Sequence, residues 1–380
     1  MHRLTLGIDA ITPGLSLAHP AGGMRMYITA IARAVHACDG EADLVLFENP
    51  RAPIPELQSL EWLRVVSCPG VPRNRVGRIV YQNTIYPLLM RAAHINALLA
   101  TCNVLPLWTP VPGVIVVQSL QVFSHPGAFE TWRKRYLRTA LSSSIDRAAS
   151  VICLSQFSRQ ALLELTGADP QKVHVVYHGL PPSHHGETSS GLCRPALPYI
   201  LSVSSLHAYK NVMRVIQAYA QIRRNQQLPH RLRIIGFEAE YTSEDIKRLA
   251  TELGVSDSVD FLGPIGHEDL PAQYEGADLL VYASLYETFG LPPLEAMAAG
   301  CPVVAANSTS IPEVVGDAAE MVEPLDVDAI AQGMLHVLTD SKWRAELVKR
   351  GRSRINDFTW ERAGHQTLEM LRTAAGAAWE

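Results

Sequence analysis

The sequence contains no long apolar run. Its longest uninterrupted stretches, such as VIVV at 114–117 and LLVYA at 279–283, fall far short of the roughly 18 residues a membrane-crossing helix needs. No span is expected. Paired cysteines are missing too: the six, at 38, 68, 102, 153, 193 and 301, show no C-x-x-C spacing and several sit in apolar stretches. That scatter argues for reduced core thiols over a zinc site or disulfide framework. With a formal net charge of −4 and no RNP, zinc-finger or helix-turn-helix pattern, nucleic acid is not an expected partner. No G-x-G-x-x-G follows a strand, which leaves a redox dinucleotide unsupported, and no fixed-period repeat or low-complexity segment occurs. The opening MHRLTLGID lacks the charged start, apolar middle and cleavage site of a signal peptide and leads directly into a strand. A cytoplasmic protein is expected, with a peripheral position at the inner face of the membrane as an extension. That extension rests on one local basic patch, Arg133, Lys134, Arg135 and Arg138 beside Trp132 and Tyr136. It reads either as a solvated helix face or, over 132–138, as a contact with anionic lipid headgroups.

What is present is apolar content, 47% of 380 residues, enough for two domains. Short β-branched runs alternate with helical periodicity, the pattern of parallel sheets with crossover helices, so the class is α/β. Strands are expected near 3–9, 43–48, 63–67, 97–101, 113–117, 151–154 and 173–176, and helices near 23–37, 78–93, 130–145 and 156–166. In ICLSQFSRQALLELTG a Ser cap at 155 or 158 starts a helix that Gly167 ends. The stretch HGLPPSHHGETSSGLCRP, 178–195, then breaks the pattern. The expected organisation is an N-terminal Rossmann-like domain over 1–182, a linker over 183–195, a second such domain over 196–358 and a closing helix over 359–380 across the domain seam. Two doubly wound domains face an interdomain cleft where the carboxyl ends of both sheets meet a ligand.

The most informative stretch is YETFGLPPLEAMAAGCPVVA, 286–305, with Glu287 and Glu295 eight positions apart. Gly290 permits a sharp turn, Pro292 or Pro293 suits the first helical position and Gly300 can end the helix. Unpaired amides at such a helix start suit a phosphate or a polyhydroxyl sugar. With Pro293 near the first position, Glu295 falls at about the third. There a carboxylate can accept hydrogen bonds from vicinal ribose hydroxyls. A capping box is the bland alternative, but Pro292 stands where it needs Ser or Thr.

In this context the sequence resembles the GT-B glycosyltransferases of the retaining family four, whose signature E-x7-E lies in a setting like ETFGLPPLEAMAAGCPVVAA. The similarity extends to AGGMRMYITAIARAV, ICLSQFSRQALLELTGADPQKVHVVYHG, YKNV, VDFLGPI, STSIPEVVGDAAEMVEPLD and FTWERA. The resemblance implies that Glu287 contacts the donor sugar and Glu295 the nucleotide ribose. The amides of Phe289, Gly290 and Leu291 would hold sugar and phosphate, and Gly22 and Gly23 would close over the diphosphate. Lys210 would neutralise the leaving diphosphate, while Leu262, Gly263 and Pro264 border the base. No metal and no cofactor beyond the nucleoside-diphosphate sugar donor is implied, and the acceptor would be a glycan or lipid-linked hydroxyl. Asp326 and Asp328 form an Asp-x-Asp, read as a helix cap.

Two departures from the family pattern stand out. Ser205 stands where many relatives carry an arginine, leaving Lys210 as the cation, and Gln118 and Ser119 stand where many carry His-Asp. Gln118 can hydrogen-bond a sugar hydroxyl but cannot titrate. His125 and His178 read as structural or hinge residues. The implied function is retaining transfer of a mannosyl, rhamnosyl or glucosyl unit to a lipid-linked or polysaccharide acceptor. The alternatives are a donor-binding protein with impaired catalysis and a GT-B nucleotide-sugar epimerase.

Overall fold

The structure is a computed structural model that describes residues 4–11, 22–38, 40, 42–124, 131–180, 197–226 and 228–377. The expected linker over 183–195, together with His125 and Cys193, lies outside the described residues. The chain divides into two units, one of residues 1–179 with 360–380 and one of residues 180–359.

The N-terminal unit is built on seven strands: β1 (Thr5–Ala10), β2 (Asp43–Glu48), β3 (Leu63–Ser67), β4 (Ala97–Ala100), β5 (Gly113–Val117), β6 (Ser150–Cys153) and β7 (Val173–Val175). All pair in parallel, in the order β3-β2-β1-β4-β5-β6-β7. The helices between them are α1 (Gly22–Cys38), α2 (Pro55–Gln58), α3 (Arg75–Ala92), α4 (Gln121–Ser124), α5 (Thr131–Arg147) and α6 (Gln156–Thr166). Because strand order reverses between β1 and β4, right-handed crossovers put helices on both faces. That is why β4 and β5 are buried at every position and read as unbroken apolar runs. Local signals set several ends. Ser155 caps α6 by accepting from the Ser158 amide, and Gly167 ends it with φ at 67°. Helix α3 begins three residues earlier than its periodicity suggests, because the Asn74 side chain accepts from the Gly77 amide at 2.6 Å.

The C-terminal unit repeats the plan with β8 (Tyr199–Val203), β9 (Arg231–Ile235), β10 (Val259–Gly263), β11 (Leu279–Tyr282), β12 (Val303–Ala306) and β13 (Glu320–Val322), in the parallel order β10-β9-β8-β11-β12-β13. Its helices are α7 (Val212–Gln226), α8 (Ser243–Glu252), α9 (Leu270–Gly276), α10 (Leu291–Ala298), α11 (Ile311–Val315), α12 (Val327–Thr339) and α13 (Ser341–Arg354). Val215, Ile216 and Tyr219 of α7 and Ile330, Met334 and Val337 of α12 join Ile200, Leu232, Leu279 and Val281 of the sheet in one core. The buried Tyr219 hydroxyl is satisfied by donating to the carbonyl of His230 at 2.8 Å.

The last helix, α14 (Trp360–Ala377), belongs to the N-terminal unit and packs along α1. Gly364 allows the approach, since a Cβ there would lie 2.8 Å from Ala34. Ala363, Leu368 and Leu371 are buried as their spacing suggests, whereas Met370 is only partly covered. Trp360 meets Tyr27 and His178 at ring-centroid distances of 5.8 and 5.6 Å. Among the described residues no helix is long and apolar enough to cross a membrane, and five cysteines are free thiols, three of them buried.

Candidate active site

In the C-terminal unit the strand order reverses between β8 and β11, and open parallel sheets bind ligands at the carboxyl ends of strands at such a point. The chain leaving β8 forms a short turn, Ala208–Lys210, and the chain leaving β11 carries Glu287. The two side chains meet there: Lys210 Nζ donates to Glu287 Oε1 at 2.6 Å, with the side chains only 15% and 11% exposed. Lys210 is thus an ion-paired cation largely shielded from solvent. Tyr282, the last residue of β11, donates its hydroxyl to the same Oε1. One carboxylate oxygen thus carries two donors. Buried beside this carboxylate, the Tyr282 hydroxyl is held well above its ordinary pKa, chiefly by desolvation and then by the Glu287 charge. It stays protonated and so donates to the carboxylate.

Helix α10 follows at once. Gly290 precedes it at φ 101°, a conformation that strains a side chain, and no side chain caps this end. Leu291 takes the first helical position, with Pro292 and Pro293 second and third. The N–H groups that proline lacks would have had no intrahelical partner there, so the donors of this helix start concentrate at Gly290 and Leu291. Glu295 consequently stands fifth in the helix, where the sequence reading put it third. Starting at Leu291 moves it two residues, about half a turn, further in and removes the capping-box alternative, which needs the third position. Glu295 is buried, and the Tyr274 hydroxyl of α9 donates to its Oε2 at 2.7 Å. Burial pushes its carboxyl above the usual range, opposed by the Tyr274 hydrogen bond and then by His267. Each glutamate of the pair is thus held on one oxygen by a buried tyrosine that motif spacing does not reveal.

The loops around the pair are tied to one another by small polar side chains. Asn211, buried and at φ 64°, donates to the carbonyls of Ala283 at 2.9 Å and Pro324 at 2.6 Å. It thereby joins the chain after β8 to the chains after β11 and β13. Ser308 donates to the Ser284 carbonyl at 2.8 Å. Thr309 accepts from the Glu287 amide at 3.0 Å, and the Ser310 hydroxyl lies 3.1 and 3.0 Å from the carbonyls of Glu287 and Phe289. Thr309 sits at φ 53°, costly for a β-branched residue and tolerated where surrounding contacts over-determine it. The hydroxyls of 308–310 are legible in the sequence, but their targets are more than 20 residues away.

The remaining expected residues lie elsewhere. Leu262 is exposed at the end of β10, two strands from β8, and Gly263 accepts from the Gly236 amide at 3.0 Å. Gly236 is itself irreplaceable: a Cβ would fall 1.9 Å from the Ser204 carbonyl oxygen. Leu262 and Gly263 also line a groove of about 610 Å³ against α8. Pro264 follows directly, and none of these three makes a hydrogen bond to the Lys210–Glu287 pair. Gly22, Gly23 and Gln118 belong to the N-terminal unit. Gly22 opens α1, and Gly23 has open space around the direction a Cβ would take. Gln118 follows β5, its amide donating to Asn103 Oδ1 at 2.7 Å, while Asn103 Nδ2 reaches the Ser119 carbonyl at 3.0 Å. Asp326 is a helix cap, its Oδ1 accepting from the amides of Asp328 and Ala329 at 2.8 and 3.1 Å. Among the described residues no cluster of three or more His, Cys, Asp or Glu is arranged to hold a metal ion.

Two family models cover most of the chain. That for Glycosyl transferases group 1 matches residues 194–354, and that for Glycosyltransferase Family 4 matches residues 21–184. The O-antigen chain mannosyltransferase B of Escherichia coli is 33% identical over 264 residues, 67% of this chain and 68% of that protein. The chain belongs to glycosyltransferase family 4. The family's GT-B fold is shared by the sucrose-phosphate synthase of Thermosynechococcus elongatus, with a TM-score of 0.79 at 22% identity over 99% of this chain and 100% of that one. It is shared too by Anabaena HepE, solved in complex with UDP and glucose, with a TM-score of 0.77 at 19% identity over 97% of this chain and 100% of that one. As a family 4 glycosyltransferase, the protein is an enzyme of glycosyl transfer.

Proposed function

We propose that the protein transfers a hexosyl or deoxyhexosyl unit from a nucleoside-diphosphate sugar to a hydroxyl of a lipid-linked or polysaccharide acceptor. Anomeric configuration is retained and no metal takes part. The unit is mannosyl, rhamnosyl or glucosyl, and the relative named as an O-antigen chain mannosyltransferase favours mannosyl. The observation that carries this reading is the Lys210–Glu287 pair, seated on Tyr282 at the reversal of the C-terminal sheet beside the start of α10. The barrier to breaking a glycosyl phosphate bond is dominated by charge separation. A cation and helix-start amides fixed where the diphosphate departs stabilise that charge without reorganising, each key donor contributing about 3 kcal/mol. Glu287 Oε2 is turned to the sugar, since Oε1 is engaged by Lys210 and Tyr282. Vicinal ribose hydroxyls supply the partners that the buried Glu295 carboxylate lacks in bulk water's absence. A backbone turn after β10 borders the base, and Gly22, Gly23 and Gln118 serve donor closure and the acceptor side.

Lys210 and Glu287 neutralise each other, so binding a diphosphate competes with Glu287 for the cation. Glu287→Gln is therefore expected to bind nucleoside diphosphate at least as tightly as the parent while turnover falls about a hundredfold or more. Glu295→Gln is expected to lose the nucleotide response. A thermal-shift panel of GDP-, UDP-, dTDP- and ADP-sugars reads binding, with a stabilisation of about 2.7 kcal/mol at a hundredfold excess over Kd. NMR of the product anomer, with and without a chelator, reads configuration and metal dependence. Full activity in Glu287→Gln, or a product of inverted configuration, would falsify the proposal.

A further inference from the structure

Ten large apolar side chains are exposed among the described residues, and six of them lie on α3 or in the loop after β4 of the N-terminal unit: Val76, Val80, Ile85, Leu88, Leu107 and Trp108, each 45–67% exposed. Val76, Val80 and Leu88, with Thr84 between them, follow the four-residue spacing of one helix face. Away from this stripe, Tyr81, Tyr86 and Met90 of α3 are buried. Leu107 and Trp108 sit beside this stripe because the Leu107 amide donates to Asn83 of α3 at 2.6 Å, and Asn83 Nδ2 donates to the Ile79 carbonyl at 2.6 Å. Arg147 of α5 holds the same loop from behind through the carbonyls of Leu105 and Pro106. The apolar surface is thus built on a pinned loop and a packed helix.

Its charge is one-sided. From residue 62 to residue 129 the sequence has five arginines, at 64, 73, 75, 78 and 91, and neither lysine nor any acidic residue, in a chain whose net charge is −4. Arg73 and Arg91 are exposed at the two ends of the stripe. An apolar patch of this kind needs a covering partner. A second copy docking by two-fold symmetry would set this surface against itself, arginines facing arginines. An anionic bilayer satisfies both features, taking Leu, Val and Trp side chains at the headgroup boundary and the guanidinium groups among phosphates. We propose that the outer face of α3, with Leu107 and Trp108, docks the enzyme on anionic phospholipid. This moves the membrane contact from 132–138, where Arg138 is half-buried with its guanidinium 5.1 Å from the centre of the Phe123 ring and the side chains of 131–134 lie outside the described residues. The proposal goes beyond the transfer reaction and stands independently of it.

The test is co-sedimentation of the full chain with vesicles of phosphatidylcholine alone or with one-quarter phosphatidylglycerol. Binding is expected with the anionic vesicles only, weakening as salt is raised. Val80→Glu with Leu88→Glu, and separately Trp108→Ala, lower the partition at least tenfold, while Arg135→Glu leaves it unchanged. All these side chains are exposed, and unchanged thermal unfolding verifies that each variant is folded. Absence of sedimentation, equal binding to neutral vesicles, or loss with Arg135→Glu while the α3 variants still bind overturns the proposal. So does a dimer, seen by light scattering, that the α3 substitutions dissolve.

Discussion

At the scale of single residues, burial decides protonation, and protonation decides what a side chain can do. Tyr274 and Tyr282 are so deeply buried beside carboxylates that they stay protonated donors, which fixes Glu295 and Glu287 on one oxygen each. His178 shows the same effect on a base. The sequence places it in YHGL before a turn glycine, and the structure buries it between Tyr27 and Trp360 at centroid distances of 5.1 and 5.6 Å. Desolvation lowers its pKa to about 3 from an ordinary 6.5. The native state therefore refuses a proton that the unfolded chain accepts, and stability falls as pH drops from about 6.5 toward 3. His178→Phe keeps the ring contacts and removes the titration. Between pH 7 and pH 5 it is expected to lose about 2 kcal/mol less stability than the parent, at roughly 1.4 kcal/mol per unit below 6.5, measured by urea unfolding at both values.

At the scale of elements, the segment that presents Glu287 in the C-terminal unit depends on loops that hold one another. Thr309 and Ser310 clasp the Glu287–Phe289 segment through side-chain hydroxyls, and Thr309 accepts an unfavourable φ of 53° to do so. Replacing Thr309 by glycine relieves the strain and loses the acceptor for the Glu287 amide. These effects offset in stability, the relief of about 1–2 kcal/mol against glycine's added backbone entropy and the lost hydrogen bond. Turnover, by contrast, needs Glu287 in place under the proposed function. Thr309→Gly is expected to unfold within a few degrees of the parent yet lose about tenfold in kcat, which corresponds to about 1.4 kcal/mol. Thr309→Ser keeps the hydroxyl and most of the rate. Steady-state kinetics on the three proteins decide it, since a purely structural role would let stability and rate fall together.

At the scale of the whole molecule, the chain passes from the N-terminal unit into the other at Leu180 and returns at Trp360, so the N-terminal unit is completed by a helix that follows the entire second unit in the sequence. The contact between α1 and α14 is set by small residues at Ala34 and Gly364. Gly364→Val forces a side chain into backbone and is expected to destabilise that unit by about 1–3 kcal/mol. That lowers its melting temperature by roughly 2–4 °C per kcal/mol for a unit of this size. Gly376→Ala, with open space at that position, is the neutral control. Scanning calorimetry reads both.

Elements whose signal is local were open to reading from the sequence. Central strands such as VIVV at 114–117 are buried on both faces and must be apolar throughout, and α6 carries its own cap and stop in Ser155 and Gly167. The two glutamates and Gly290 were legible because the turn and helix start that present them are encoded within a few residues, whereas Lys210 was singled out by the family resemblance. The partners were not. Asn211 acts on carbonyls 72 and 113 residues away, Tyr274 meets Glu295 from another helix, and Gly236 is glycine because the Ser204 carbonyl passes over it. The exposed stripe of α3 likewise became a surface only once its other face was filled. Covalent neighbours and periodicity alone determined the alternation of strands and helices and the chemistry offered at each turn. Which oxygen of each carboxylate is occupied, and which apolar face is left uncovered, was decided by packing, because burial and distance are properties of atoms that the chain brings together only when it folds.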